Sequence, residues 1–120
     1  MRILFPWFPK ELNPNSRTHW RKKAAFAKVY RAAWYALAIQ ARVPKFPGVA
    51  DIELLVTFLP PDRRLRDRDN CVAGIKNGMD GLADALGVND RRFVPTYRMS
   101  DLVMGVVEVV IHVEQESTKW

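Results

Sequence analysis

The sequence of 120 residues predicts an α+β protein in which two main helices pack on a small mixed β-sheet. Two segments repeat apolar residues at steps of three and four, which is typical of amphipathic helices. Four shorter segments mostly alternate apolar with other residues, which is typical of strands. The segments follow one another in the order β-α-β-α-β-β. No repeat, low-complexity tract or long linker divides them, so we expect residues 1–120 to form a single domain.

The first half of the chain predicts a strand, a long helix and a second strand. Residues 2–8 form the first strand because apolar residues alternate along it. Ser16 is the predicted N-cap of a helix that continues to about Arg42. The predicted buried stripe of this helix consists of Trp20, Ala24, Ala27, Trp34, Leu37 and Ala41. Residues 52–58 alternate again and form the second strand.

The second half predicts another helix and two further strands. The helix covers Asn70 to Leu86 and ends at Gly87, which is a favoured residue after a helix C-terminus. Its predicted stripe consists of Val72, Ile75, Met79, Leu82 and Leu86. Residues 93–99 form a strand that Pro95 confines to a sheet edge or a bulge. Val107 to Val113 give the clearest strand, and we expect this strand and the Pro95 segment near an open edge or an apolar contact face.

Three glycines project onto one side of the second helix: Gly74, Gly78 and Gly81. Each costs about 1 kcal/mol relative to alanine in a helix interior. One interpretation is a close approach of another backbone, either the first helix or a partner subunit. The other interpretation is that the glycines have no packing role and that tertiary contacts stabilise the helix despite their cost.

The composition is that of an ordinary globular protein, with 48% hydrophobic and 27% charged residues. No apolar run approaches the roughly 20 residues that a membrane-spanning helix needs. The opening residues lack the long apolar region and cleavage site of a signal peptide. Cys71 is the single cysteine, so it has no partner for an internal disulfide, and we expect the reducing cytoplasm.

Basic residues form two clusters. Nineteen lysines and arginines against 13 acidic residues give a net charge of +6. One cluster lies around the start of the first helix and the other in residues 63–68, where acids are interleaved with it. Such clusters favour phosphate backbones, whereas a single cluster would equally suit solvated surface. The predicted DNA-binding residues are Arg17, Arg21, Lys22, Lys23, Arg64, Arg66, Arg68 and Asn70.

Two aspartates directly before the second helix are candidate metal ligands. Mg²⁺ prefers oxygen ligands, and Asp67 and Asp69 point the same way if the segment is extended. Asp90 is the best candidate for a third carboxylate. Because the predicted helix between them would span about 25 Å, Asp90 reaches Asp67 only if the chain folds back or the adjacent strand carries it there. The alternative is that these acids cap the helix, are solvated, or pair with the flanking arginines.

Lys76 projects onto the same side of the second helix as Asp69 and Asp80. A lysine two turns from an acid pair suits contact with a scissile phosphate or a departing oxygen. Lys76 and Asp80 also form an ordinary i,i+4 pair.

These residues together resemble the RusA family of Holliday junction resolvases, most closely its phage-borne branch. The resemblance rests on Asp67-x-Asp69-Asn70, then Lys76-x-x-x-Asp80, then Gly87-Val-Asn-Asp90-Arg-Arg-Phe93. The opening stretches Phe5–Pro9, Asn13–Asn15 and His19–Arg21 look like the same branch. The resemblance covers nearly the whole chain in order.

The resemblance implies a Mg²⁺-dependent homodimeric endonuclease that nicks four-way DNA junctions symmetrically. It assigns metal binding to Asp67, Asp69 and Asp90, and a catalytic role to Lys76. Three departures stand out. Lys76 follows Asn70 by six residues where the family has three, Cys71 replaces a usual leucine, and Asn89 precedes Asp90 where an acidic pair is common.

Two functions remain open from the sequence. The first is Mg²⁺-dependent hydrolysis of DNA phosphodiesters at branched DNA. The second is a non-catalytic basic protein that binds branched DNA without cutting it. Nicking of a synthetic four-way junction separates them.

Overall fold

Four strands and three α-helices make up the chain in the computed structural model, which describes residues 1–113 without the side chain of Val113. The elements are β1 (Arg2–Pro6), α1 (Trp20–Gln40), β2 (Ile52–Leu59), α2 (Arg68–Gly74), α3 (Lys76–Leu86), β3 (Phe93–Met99) and β4 (Val106–Val113). Single 3₁₀ turns cover Lys10–Leu12 and Asp90–Arg92. The α+β class and the order of elements are confirmed, except that the second predicted helix is divided in two. Residues 114–120 of the predicted domain lie outside the described part.

The four strands form one mixed sheet in the order β1-β4-β2-β3. β4 runs antiparallel to both β1 and β2, whereas β2 and β3 are parallel. A parallel pair needs a crossover connection, and α2 with α3 provides it. β3 is an edge strand, as Pro95 predicted. The expectation that Val107–Val113 lie near an open edge is wrong, because β4 pairs on both sides.

The core lies between one face of the sheet and the helices. Alternate residues of the strands point into it, and those that are buried are Ile3, Phe5, Ile52, Leu54, Val56, Phe58, Val107, Val109 and Ile111. Trp34 of α1 is fully buried and stacks on Phe5, with ring centroids 4.0 Å apart and planes 5° from parallel. This contact fixes α1 against β1 and holds the start of the chain in place.

α1 begins three residues later than predicted, and its predicted stripe is confirmed only in part: Trp34 is buried, and Ala27 and Leu37 are half-buried. The Ser16 hydroxyl lies 2.6 Å from the Thr18 hydroxyl and accepts a bond from the Thr18 amide, so the segment forms a local turn. His19 is the N-cap, and its Nδ1 accepts a hydrogen bond from the amide of Arg21. The buried residues of α1 are Tyr30, Trp34 and Ala38, whereas Trp20, Ala24 and Ala41 are exposed.

The second predicted helix is interrupted at Ile75, whose backbone leaves the helical region (φ −95°, ψ 3°). The three glycines of this segment lie against the rest of the core. A Cβ at Gly74 would overlap the Phe8 ring, and one at Gly78 would overlap the indole of Trp34. At Gly81 it would overlap the carbonyl oxygen of Arg31 in α1. The close approach of the first helix is therefore confirmed.

None of the helices within residues 1–113 has both the length and the apolar character needed to cross a membrane.

Candidate functional site

The acid pair, Asp67 and Asp69, lies at the start of α2. Asp67 has extended backbone (φ −78°, ψ 124°), and its Oδ1 accepts a 2.8 Å hydrogen bond from the amide of Asp69. Arg68 and Asp69 already belong to the helix, so the expectation of an extended segment through both acids is wrong. The capping alternative is confirmed for Asp67. Both carboxylates are exposed, and within the described residues neither forms an ion pair with an arginine.

The chain reverses direction directly after α3. Gly87 adopts a left-handed conformation (φ 71°), and its amide donates to the carbonyl oxygens of Ala83 and Asp84. Two residues later Asn89 caps the next turn, where its side chain accepts a 2.9 Å hydrogen bond from the amide of Arg91. The Arg92 guanidinium donates to the carbonyl oxygen of Ala50 over 2.8 Å and so holds this turn against the segment before β2.

The reversal carries Asp90 back to the first turn of α3. There the Nζ of Lys76 donates to Oδ1 of Asp80 and to Oδ2 of Asp90, each over 2.7 Å. We call these three residues the lysine cluster. The sequence predicted the pair with Asp80 and not the contact with Asp90. The chain does fold back after α3, but it brings Asp90 to Lys76 and does not bring it into one group with Asp67 and Asp69.

The charges of the lysine cluster stabilise one another. Hydrogen bonds to Asp80 and then to Asp90 raise the pKa of the Lys76 ammonium. The hydrogen bond from Lys76 lowers the pKa of the Asp90 carboxyl. Lys76 therefore stays protonated and Asp90 stays ionised across the neutral range, so the cluster presents a charged donor beside a charged acceptor.

The acid pair and the lysine cluster are separate groups. Among residues 1–113 no three histidine, cysteine, aspartate or glutamate side chains lie close enough together to hold a metal ion. Mg²⁺ is often bound through only one or two carboxylates, with waters and substrate phosphates as its other ligands. The acid pair therefore supplies two carboxylates, the kind of ligand that Mg²⁺ prefers, whereas Asp90 lies with Lys76.

The arginine-rich loop, residues 62–66, is held by its own charges. Arg66 is only 15% exposed and donates to the Asp62 carboxylate over 2.8 Å. Its guanidinium also lies 5.5 Å from the centre of the Trp7 ring. The Arg66 side chain, followed by the Arg64 amide, holds the pKa of Asp62 well below its usual range. Arg63 and Arg64 of the loop are exposed, and Arg64 also pairs with the Asp62 carboxylate over 3.3 Å. Arg68, at the start of α2, is exposed as well.

The other predicted DNA-binding residues surround the start of α1. Arg17, Arg21 and Lys22 are exposed, and Lys23 is half-buried with its Nζ 3.4 Å from the carbonyl oxygen of Asn13. No acid lies in the first turn of this helix. Cations at a helix N-terminus oppose the helix dipole, so they do not stabilise α1 and are better suited to attracting an external anion.

No protein-family model matches the sequence. An uncharacterized protein of Xylella fastidiosa is 37% identical over 118 residues, which cover 91% of this chain and 72% of that protein. The chain belongs to the same family.

Cys71 is not a nucleophile in this geometry. It is buried, and burial raises the pKa of its thiol, which keeps it protonated. Of the two histidines, His19 caps α1 and His112 is exposed on β4. Phe8 is buried, as core packing predicts, whereas Trp7 is half-buried beside the arginine-rich loop. Both aromatics line a cleft between residues 7–13 and 61–71. No local sequence pattern predicts this cleft, because its two walls are separated by almost 50 residues of the chain.

Proposed function

We propose that this protein is a Mg²⁺-dependent, structure-selective endodeoxyribonuclease of the RusA type. It would resolve four-way DNA junctions by paired symmetric nicks, in recombination and repair or in phage DNA processing. The observation that carries this proposal is the contact between Lys76 and Asp90, because it brings the last acid of the motif back to the first turn of α3.

As the resemblance implies, Asp67, Asp69 and Asp90 would hold Mg²⁺ together. Asp90 lies apart from the acid pair among residues 1–113, so this binding requires Asp90 to approach the pair. When bound, the ion would lower the pKa of an attacking water and neutralise negative charge in the transition state. The chain's own contribution is positional. Lys76 keeps Asp90 ionised and can offer its ammonium protons to a phosphate oxygen, while exposed Arg68, between the two acids, faces the solvent from which DNA would approach.

The DNA would lie across both basic clusters. Exposed cations at the start of α1 and in the arginine-rich loop supply phosphate contacts, which fix the register of DNA without reading its sequence. Arg66 has little free surface and would act mainly by shaping the loop. Asn70, one residue after the acid pair, is the uncharged polar group of the predicted DNA-binding set.

A four-way junction has near-twofold symmetry, and two matched nicks need two sites. One site per chain makes a C₂ homodimer the simplest assembly for this reaction. A compartment that keeps the single cysteine reduced, the cytoplasm of a bacterium or of a phage-infected cell, is the proposed location.

The second candidate is a non-catalytic protein that binds branched DNA. It is favoured by one observation, that the acid pair and Asp90 form separate groups within the described residues. Both candidates need the basic clusters, so only cutting distinguishes them.

The deciding experiment incubates the purified full chain with a synthetic four-way junction and with a linear duplex of matched length. We expect nicking of the junction in Mg²⁺, no nicking in EDTA, and little nicking of the duplex. Asp69→Asn serves as the inactive comparison and Glu53→Gln, an exposed acid of β2, as the matched active one. A protein that binds the junction tightly and never cuts it would leave the second candidate.

A further inference from the structure

A cleft of about 430 Å³ lies between the segment after β1 and the arginine-rich loop. Aromatic, cationic and amide groups share its lining, and those that matter here are Trp7, Phe8, Lys10, Asn13, Arg64 and Asn70. Asp67 also lines this cleft. The cleft therefore reaches the first residue of the acid pair.

Its aromatic wall is preorganised. Trp7 stacks on Phe8, with ring centroids 5.0 Å apart and planes 24° from parallel. Trp7 also meets Phe58 edge-on, and Arg66 lies over its ring. Flat aromatic and guanidinium surfaces that are already fixed suit the stacking of a nucleobase, because little side-chain entropy is lost on binding.

The polar groups of the cleft match a nucleotide. Within the described residues the Asn70 side chain forms no hydrogen bond, although it is half-buried in the first turns of α2. An asparagine amide offers both a donor and an acceptor, which is the pattern needed for a base edge. Lys10 and Arg64 add positive charge on either side, where the flanking phosphates of a nucleotide would lie.

We propose that this cleft binds one unpaired nucleobase of the DNA beside the acid pair. The inference rests on the proposed function, since the nucleic-acid ligand is taken from it. A base inside a duplex is stacked on both faces and cannot enter. At a branch point the stacking is interrupted, so unpairing costs less there, and the cleft would favour branched over continuous DNA. Leu65, fully exposed at the rim, would contact the neighbouring base.

The test measures binding without metal, so that it does not depend on cutting. The full chain in EDTA is titrated into a fluorescent hexathymidylate and into a hexamer of equal charge whose sugars carry no bases. We expect the abasic hexamer to bind about tenfold more weakly, since stacking contributes about 1–3 kcal/mol per base. Equal affinities for the two hexamers would overturn the proposal.

A matched pair of variants tests whether the preference for the base-containing hexamer arises in this cleft. Asn70→Ala should reduce the preference for the base-containing hexamer severalfold and leave binding of the abasic hexamer unchanged. Asn77→Ala, a half-buried asparagine of α3, should leave both affinities unchanged. A preference that survives Asn70→Ala intact would show that the base binds elsewhere and would overturn the assignment.

The two proposals fail separately. A preference for the base-containing hexamer without Mg²⁺-dependent nicking would support base binding in the cleft and contradict the proposed nuclease activity. Nicking of the junction without a preference for the base-containing hexamer would support the nuclease activity and contradict base binding in the cleft.

Discussion

Lys76 connects α3 with the turn that follows it. Its side chain is 59% exposed and lies between two carboxylates, one from α3 and one from the turn after it. Exposed ion pairs contribute little to stability, typically less than about 1 kcal/mol each. Folding alone therefore gives little reason for a lysine to hold Asp90 at this point, whereas a reaction at phosphate does.

At the same scale we expect each of Asp67→Asn, Asp69→Asn and Asp90→Asn to abolish nicking. Each change removes a charged oxygen ligand while nearly preserving shape, and losing several kcal/mol of transition-state stabilisation slows the reaction on the order of a thousandfold. Junction binding should survive or tighten, because negative charge near phosphate is removed. Single-turnover cleavage and gel-shift assays measure the two effects.

Asp84→Asn is the control for these variants. Asp84 lies on α3, one turn after Asp80, and makes a two-pronged ion pair with Arg31 at 2.8 and 2.9 Å. It carries the same change of charge outside the acid pair and the lysine cluster, so cutting should stay near that of the parent. If one of the three site variants also cuts normally, that residue does not bind the metal.

At the scale of elements, the position of α3 depends on its close packing against α1. The approach is close because glycines replace side chains where the two helices meet, and Gly81 lies directly under the backbone of Arg31. The bidentate pair between Arg31 and Asp84 lies beside the same contact. The position of α3 therefore fixes Lys76 at its first turn relative to the rest of the core.

Gly81→Ala tests this packing with the smallest possible change. In an exposed helix the substitution would stabilise by about 1 kcal/mol, but here the new methyl group meets backbone, and overpacking costs about 1–3 kcal/mol. We expect a lower melting temperature, by several degrees, in thermal unfolding followed by circular dichroism. Ala73→Gly, at an exposed position of α2, shows the size of the propensity effect alone. A Gly81→Ala variant that melts above the parent would contradict the packing argument.

Local sequence patterns predicted these elements well where local chemistry decides them. Gly87 ends α3, and Pro95 lies on an edge strand, because a left-handed residue and a missing amide are properties of single residues. The start of α1 was misplaced because the Ser16 hydroxyl bonds within its own turn instead of capping the helix. The break at Ile75 follows Gly74, which lies against the Phe8 ring, and no local pattern reports that contact.

In the candidate site, too, the sequence predicts the features that depend on neighbouring residues and misses those that depend on tertiary contacts. The identities of the acid pair and of Lys76 could be predicted, since they lie close together in the sequence. The contact between Lys76 and Asp90 could not, because it depends on the turn after Gly87 and on the hold that Arg92 has on the segment before β2. The base cleft depends on tertiary structure in the same way.

At the scale of the whole molecule, the assembly prediction follows from the symmetry of the substrate. Light scattering at micromolar concentration should report twice the chain mass of 13.8 kDa. Both strands of a junction should be nicked at symmetry-related positions. A clean monomer that still makes paired nicks would contradict the homodimer, and a dimer that cuts linear duplex equally well would contradict the junction preference.

The number of phosphates that the basic clusters neutralise sets how strongly binding depends on salt. Each phosphate that the protein neutralises releases counterions, so log K falls by about 0.9 per contact for each tenfold rise in salt. The double variant Arg21→Ala, Lys22→Ala removes two exposed cations at the start of α1 and should flatten this slope by about 1.8, measured by fluorescence anisotropy from 50 to 300 mM salt. Arg98→Ala, an exposed cation on β3 outside both basic clusters, should leave the slope unchanged. If the double variant and Arg98→Ala change the slope equally per charge removed, any surface cation has the same effect. The DNA then does not lie across the start of α1.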